Sequence, residues 1–231
     1  MSEDTKVAKP ERRFKCVWLF FSLLMLSFFH PFSQILDRVF PYFEGVLGIL
    51  LYTGLLVASV RALSDTRKHV FIAVFLALPT LVLIWLDGLV NLPSLKVAYL
   101  SFALLFVGYT VVRVLSYVLS GEEIVADKIY GALSVYLLFG HGWAFIFIIL
   151  ETLNPGSFAG LAQSGTIEGV GSELIYYSFV TLTTLGYGEI TPVTISARNL
   201  AAMEAVTGVL YIATLIARLV GMYRGRKGSG S

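Results

Sequence analysis

The residues best suited to chemistry lie in one run, Thr183-Thr184-Leu185-Gly186-Tyr187-Gly188-Glu189, and that chemistry is cation coordination. An ion that passes quickly through a pore must exchange its water shell for oxygens at fixed spacing. Backbone carbonyls stacked along an extended loop supply such a cage, and the Thr184 hydroxyl adds a further ring of oxygens. Pointing successive carbonyls the same way forces alternate residues out of the usual φ range. Glycine tolerates this, which gives Gly186 and Gly188 a physical reason for their positions. The expected ligands are the carbonyls of Thr184, Leu185, Gly186 and Tyr187, while Gly188 lets the outer mouth turn.

A coordinating loop needs elements that hold it. Ahead of it, the stretch from Tyr176 to Leu182 reads as a short helix, with Ser172 as N-cap and Glu173 in the first turn. This half-helix, Glu173–Thr183, would aim the partial negative charge of its carboxyl end at a cation. Behind the loop come Glu189-Ile190-Thr191-Pro192 and a long apolar segment that starts near Ala197.

From Glu173 to Val220 the chain resembles the pore helix, filter and inner helix of tetrameric potassium channels, with T-L-G-Y-G in place of T-V-G-Y-G. The resemblance implies a homotetramer, because one filter strand cannot enclose an ion. It implies bound K+ ions as the only ligands, with no organic cofactor. Filter support falls to Tyr176, Tyr177, Thr181, Thr183 and Glu189. The two tyrosines sit where the family packs aromatics around the filter, although interfacial tyrosines are the plainer reading. Val180 stands where some members carry a glutamate bonded to the acid outside the filter, so Glu189 needs another partner. Leu185 coordinates through its carbonyl as valine would, yet lacks β-branching and restrains its backbone less.

Composition agrees with a membrane setting: 57% hydrophobic residues, 14% charged, mean hydropathy +0.80. A bilayer core of about 30 Å calls for about 20 apolar residues per helix. Six spans meet this: 14–29, 44–59, 70–86, 97–119, 129–150 and 197–222. The expected fold is all-α, with six transmembrane helices plus the re-entrant pore helix and filter loop. Residues 1–127 form a four-helix N-terminal unit placed like a voltage sensor, and residues 128–223 the pore unit. Residues 224–231 form a short basic tail whose Gly/Ser end reads as an appended linker. Within the pore unit, residues 154–171 form an exposed turret. The first span, preceded by Lys9, Arg12 and Arg13, reads as a retained helix with its amino end inside. Basic loops then fall on the cytoplasmic side, obeying the positive-inside rule, with both termini cytoplasmic and the protein multi-pass in the plasma (cell inner) membrane. The acids on the other face, Glu151, Glu173 and Glu189 among them, either concentrate cations at an outer vestibule or simply fall there.

Single residues add detail. Glu204 is an ionisable group inside a span, which marks function or pairing. It either bonds a pore-helix hydroxyl such as Thr181 or Thr183, or acts as a proton-sensing gate. Gly208 aligns with a glycine at which inner helices of the family bend, and close packing is the alternative. His141, between two glycines, is a packing residue or a titrating one. Asp87 and Asp127 read as span-end residues in contact with water. The fourth span lacks the arginine repeat of voltage-gated relatives. Its Arg113 reads as a snorkelling anchor.

The function these readings imply is passive, potassium-selective conduction without strong voltage gating. A non-selective cation channel of the same architecture is the alternative, and a potassium uptake transporter subunit a further one. No catalytic motif is present, so no enzyme is expected. The single Cys16 excludes an intramolecular disulfide, and a net charge of +2 carries no nucleic-acid signal. Lipid is the expected surroundings.

Overall fold

The computed structural model describes residues 15–37, 43–62, 67–90, 92–120, 126–161 and 167–228. The basic residues Lys9, Arg12, Arg13 and Arg38, the connector 121–125 and the last three residues, 229–231, lie outside the described residues. Seven helices account for most of the rest: α1 (Lys15–Asp37), α2 (Phe43–Ala62), α3 (Arg67–Val90), α4 (Pro93–Leu119), α5 (Ala126–Leu153), α6 (Ile167–Leu182) and α7 (Ile195–Gly228). Two short strands, β1 (Phe158–Ala159) and β2 (Thr191–Pro192), pair antiparallel.

Each expected span corresponds to a helix. Four of them, Arg67–Val90, Pro93–Leu119, Ala126–Leu153 and Ile195–Arg218, are long and apolar enough to cross a membrane among the described residues. In α1 the described apolar stretch is the shorter Cys16–Ser27. Hydroxyls inside these helices turn back on the carbonyl four residues earlier, as Thr110 does on Phe106 at 2.8 Å and Ser134 on Tyr130 at 2.7 Å. That bond satisfies a polar group where no water reaches.

α5 is the central element. More than half of its apolar window is buried, against 17% for α3 and α7. The main core runs from Leu19 and Leu23 of α1 through Val107 and Val114 of α4 to Val135, Leu138 and Phe147 of α5. It continues to Leu174 of α6 and Ala201 of α7. A smaller cluster, Leu56, Ala73, Ala77 and Phe106, joins α2, α3 and α4. The missing side chain of Gly131 lets α5 approach its neighbours. A Cβ there would lie 2.9 Å from Val118 and 3.2 Å from the Cys16 sulfur.

At the end of the bundle remote from the Thr183–Glu189 loop, the expectation for Asp127 is corrected. It is buried, 6% exposed, and not in contact with water. Its Oδ1 accepts the Cys16 N–H at 2.9 Å and its Oδ2 the Tyr117 hydroxyl at 3.1 Å. One carboxylate thus ties the starts of α1 and α5 to the end of α4. Cations satisfy the last α4 carbonyls: Arg218 Nη2 donates to Leu119 at 2.5 Å, and Lys128 Nζ donates to Ser120. Positive charge at a helix carboxyl end is the favourable placement.

Candidate functional site

The loop expected to coordinate ions leaves α6 with an unusual backbone. Thr184 has φ +59°, Gly186 +57° and Gly188 +88°. Every second residue is therefore in the left-handed region, the alternation that aligned carbonyls require. Thr184 is β-branched and has no glycine freedom, so its conformation costs on the order of 1–2 kcal/mol. Neighbouring bonds offset that strain. Thr184 N–H donates to Thr181 O at 2.9 Å, and the Val180 carbonyl accepts both Leu185 N–H at 2.9 Å and Gly186 N–H at 3.3 Å. In the single chain all residues from Thr183 to Glu189 are exposed, Leu185 at 54% and Tyr187 at 68%.

The helix preceding the loop is longer than expected. It begins at Ile167, so Ser172 lies inside it and donates to Gly169 O at 2.7 Å rather than capping. Glu173 accordingly falls beyond the first turn. Ser172 is therefore not a cap, because the helix starts six residues before the expected Glu173.

Two glycines set how closely α6 is held. A Cβ on Gly140 of α5 would lie 2.5 Å from the Phe179 ring. One on Gly208 of α7 would overlap the Leu182 carbonyl oxygen, at the last residue of α6. Gly208 is thus a close-packing position against the end of α6. Gly140 drew no separate notice in the sequence beyond its place beside His141. His141 is buried, its Nδ1 2.9 Å from Leu137 O and its ring edge-on to Phe179.

Glu204 is fully buried and reaches α6, but through neither threonine expected of it. The Ser178 Oγ lies 2.5 Å from Glu204 Oε1 and 2.7 Å from the Gly140 carbonyl oxygen. Thr183 instead donates to its own helix at Phe179 O, 2.7 Å, and Thr181 lies near Tyr177 on the same helix. Which hydroxyl faces α7 depends on helix rotation, which spacing alone does not specify. Tyr136 of α5 donates to Leu182 O at 3.3 Å and stacks on Tyr211, whose hydroxyl donates to Ala132 O at 2.6 Å.

Around the mouth, Tyr177 is buried edge-on against Phe147 and Phe158. Tyr176 is exposed and lies beside Glu189, which lacks the glutamate at Val180 that some relatives place there. Two further residues tie the turret to the loop's return, and sequence reasoning missed both roles. Glu151 Oε1 accepts Gly156 N–H at 2.7 Å and its Oε2 accepts Phe158 N–H at 3.1 Å. Gly160, at φ +85°, passes so close to the Glu189 carbonyl that any Cβ would overlap it. The β1–β2 pairing then joins Phe158 to Pro192 and Ala159 to Thr191. Its only sequence signal was a glycine in a turret already rich in glycine. Glu151→Ala should free the turret turn and lower the melting temperature in detergent. The loss corresponds to about 1–3 kcal/mol for two charge-assisted bonds, one of them partly solvated. Differential scanning fluorimetry reads it directly, and an unchanged melting temperature would refute the clamp.

Residues 131–224 match the model of a family described as "Ion channel". That stretch, less than half of the chain, comprises most of α5, the turret, α6, the loop and α7. Protein LctB of Bacillus caldotenax is 28% identical over 96 residues, which cover 41% of this chain and 71% of that protein. Within the matched stretch, α7 leaves Val209, Ile212 and Ile216 exposed at 52%, 43% and 56%.

Proposed function

We propose that the protein is a potassium-selective channel in which four copies bring their Thr184–Gly188 segments around one axis. One observation carries this reading: left-handed backbone at Thr184, Gly186 and Gly188, alternating with Leu185 and Tyr187. That alternation turns successive carbonyls to one side, where they replace the water of a dehydrated cation. The α6 carboxyl end and its partial negative charge lie at the base of the same loop. In the assembly, the exposed face of α7 bearing Val209, Ile212 and Ile216 lines an apolar cavity below the filter. Six helices of each copy cross the membrane, with both termini on the cytoplasmic side.

The test is the reversal potential of the reconstituted protein in a planar bilayer, with potassium on one side and sodium on the other. A value close to the potassium equilibrium potential supports the reading. A value near zero overturns the selectivity and leaves a non-selective cation pore.

Voltage is a weak stimulus for this channel. α4 carries Lys96 near its start and a half-buried Arg113 near its end, with no charged residue between them. A charge that crosses the whole field gains about 2.3 kcal/mol per 100 mV, so steep gating takes several per subunit. Arg113→Gln should leave the slope of open probability against voltage unchanged. A clearly shallower slope in the variant would identify Arg113 as a gating charge.

A further inference from the structure

The contact between Glu204, Ser178 and Gly140 holds more acceptors than its recorded donors can serve. A serine hydroxyl has one proton. Ser178 Oγ nevertheless lies within bonding distance of two oxygens, the Gly140 carbonyl at 2.7 Å and Glu204 Oε1 at 2.5 Å. The Gly140 carbonyl has no proton to offer. If Ser178 gives its proton to Gly140, two oxygens, Oγ and Oε1, face each other at 2.5 Å with nothing between them. Giving it to Glu204 leaves the Ser178 Oγ facing the Gly140 carbonyl oxygen, already bonded within α5, at 2.7 Å with no proton between them.

Glu204's other oxygen makes the shortage worse. Oε2 is buried and has no hydrogen-bond partner among the described residues. The titratable groups facing Glu204 are Tyr136 from α5 and Tyr177 from α6, and neither supplies a cation. On α7 itself, Arg198 directs its Nε to the Pro192 carbonyl at 3.3 Å. An ionised carboxylate here would be a buried charge served by at most one shared proton, among the least favourable arrangements in a protein. A neutral acid removes the conflict. Its own O–H fills the 2.5 Å gap, Ser178's proton goes to Gly140, and Oε2 becomes an ordinary carbonyl oxygen.

We infer that Glu204 is held as a neutral carboxylic acid donating to Ser178, in a directed relay Glu204 O–H to Ser178 O–H to Gly140 C=O that fastens α7, the pore helix and α5 together. Glu204 is therefore a positioning residue for the filter, acting through Ser178 on the helix whose end carries Thr184. This role rests on reading that loop as the filter, but the protonation itself does not.

Infrared difference spectroscopy of the reconstituted full chain at neutral pH tests it. The wild type should show a protonated-carboxyl C=O stretch that shifts on exchange into deuterated water and is absent in Glu204→Gln. In Ser178→Ala the same band should remain but move to higher frequency, because its donor bond is lost. Glu204→Gln supplies an amide N–H to Ser178, so it should retain the wild-type melting temperature, whereas Glu204→Ala should lose it. Absence of any carboxylic-acid band removed by Glu204→Gln would overturn the inference. So would a Gln variant as unstable as the Ala variant, or one that does not fold. A non-selective reversal potential with the band intact would sink the filter reading and leave the relay standing.

Discussion

Gly186→Ala is expected to abolish potassium selectivity while leaving the rest of the fold in place. Gly186 has φ +57°, and a Cβ there would meet nothing within 4 Å. The obstacle is therefore conformational rather than steric. An L-residue in this region loses on the order of 1–2 kcal/mol, and in the proposed assembly that strain enters at four positions around one ion. The backbone relieves it by rotating the peptide, which turns a coordinating carbonyl away from the axis. In bilayers with opposed potassium and sodium, the reversal potential should collapse towards zero, or the current vanish. Gly108→Ala is the matched control. It lies within α4 with nothing near its Cβ and no unusual φ, so it should leave selectivity unchanged. Undiminished selectivity in Gly186→Ala would remove the main physical support for the filter.

Gly208→Ala should have the largest effect on stability. Its Cβ would occupy the space of the Leu182 carbonyl oxygen, a backbone atom that cannot swing aside as a side chain can. Either α7 moves off the pore helix or the last turn of α6 shifts, just before Thr184. Overpacking a close contact costs about 1–3 kcal/mol and more where backbone is the obstacle. The melting temperature should fall well below that of the wild type, and recovery of folded protein with it. Gly140→Ala provides a graded comparison, because there the obstructing atoms belong to the Phe179 ring. It should be destabilising, but less so. If Gly208→Ala matched the wild type, the tight α6–α7 contact would not be a determinant of the fold.

Legibility differed by feature, for physical reasons. The helices could be read because long apolar runs have few alternatives in a membrane, and each of the six expected spans has its helix. The loop could be read because its two glycines answer a backbone requirement rather than a packing one. Glu204's attachment to the pore helix was legible in outline, since a buried acid must find donors. Its partner was not, because choosing Ser178 over Thr181 or Thr183 needs the rotation of α6 about its axis. Gly140 was illegible for a related reason, as its role depends on which ring lies opposite. Asp127 was misread as wetted because a span-end acid ordinarily reaches water, whereas here two donors from distant helices surround it. Ser172 illustrates the converse: a good capping residue placed within a helix that begins at Ile167.

The bond from Cys16 N–H to Asp127 has a consequence for how the chain is made. Its partners are 111 residues apart. At about 5–20 residues per second, the ribosome reaches Asp127 roughly 6–22 s after Cys16 is joined. α1 is synthesised long before the carboxylate that secures its start exists. For that interval its first turn depends on lipid headgroups, water or the insertion machinery. A sequence change that slows synthesis between α4 and α5 would lengthen this exposed period without altering the finished protein.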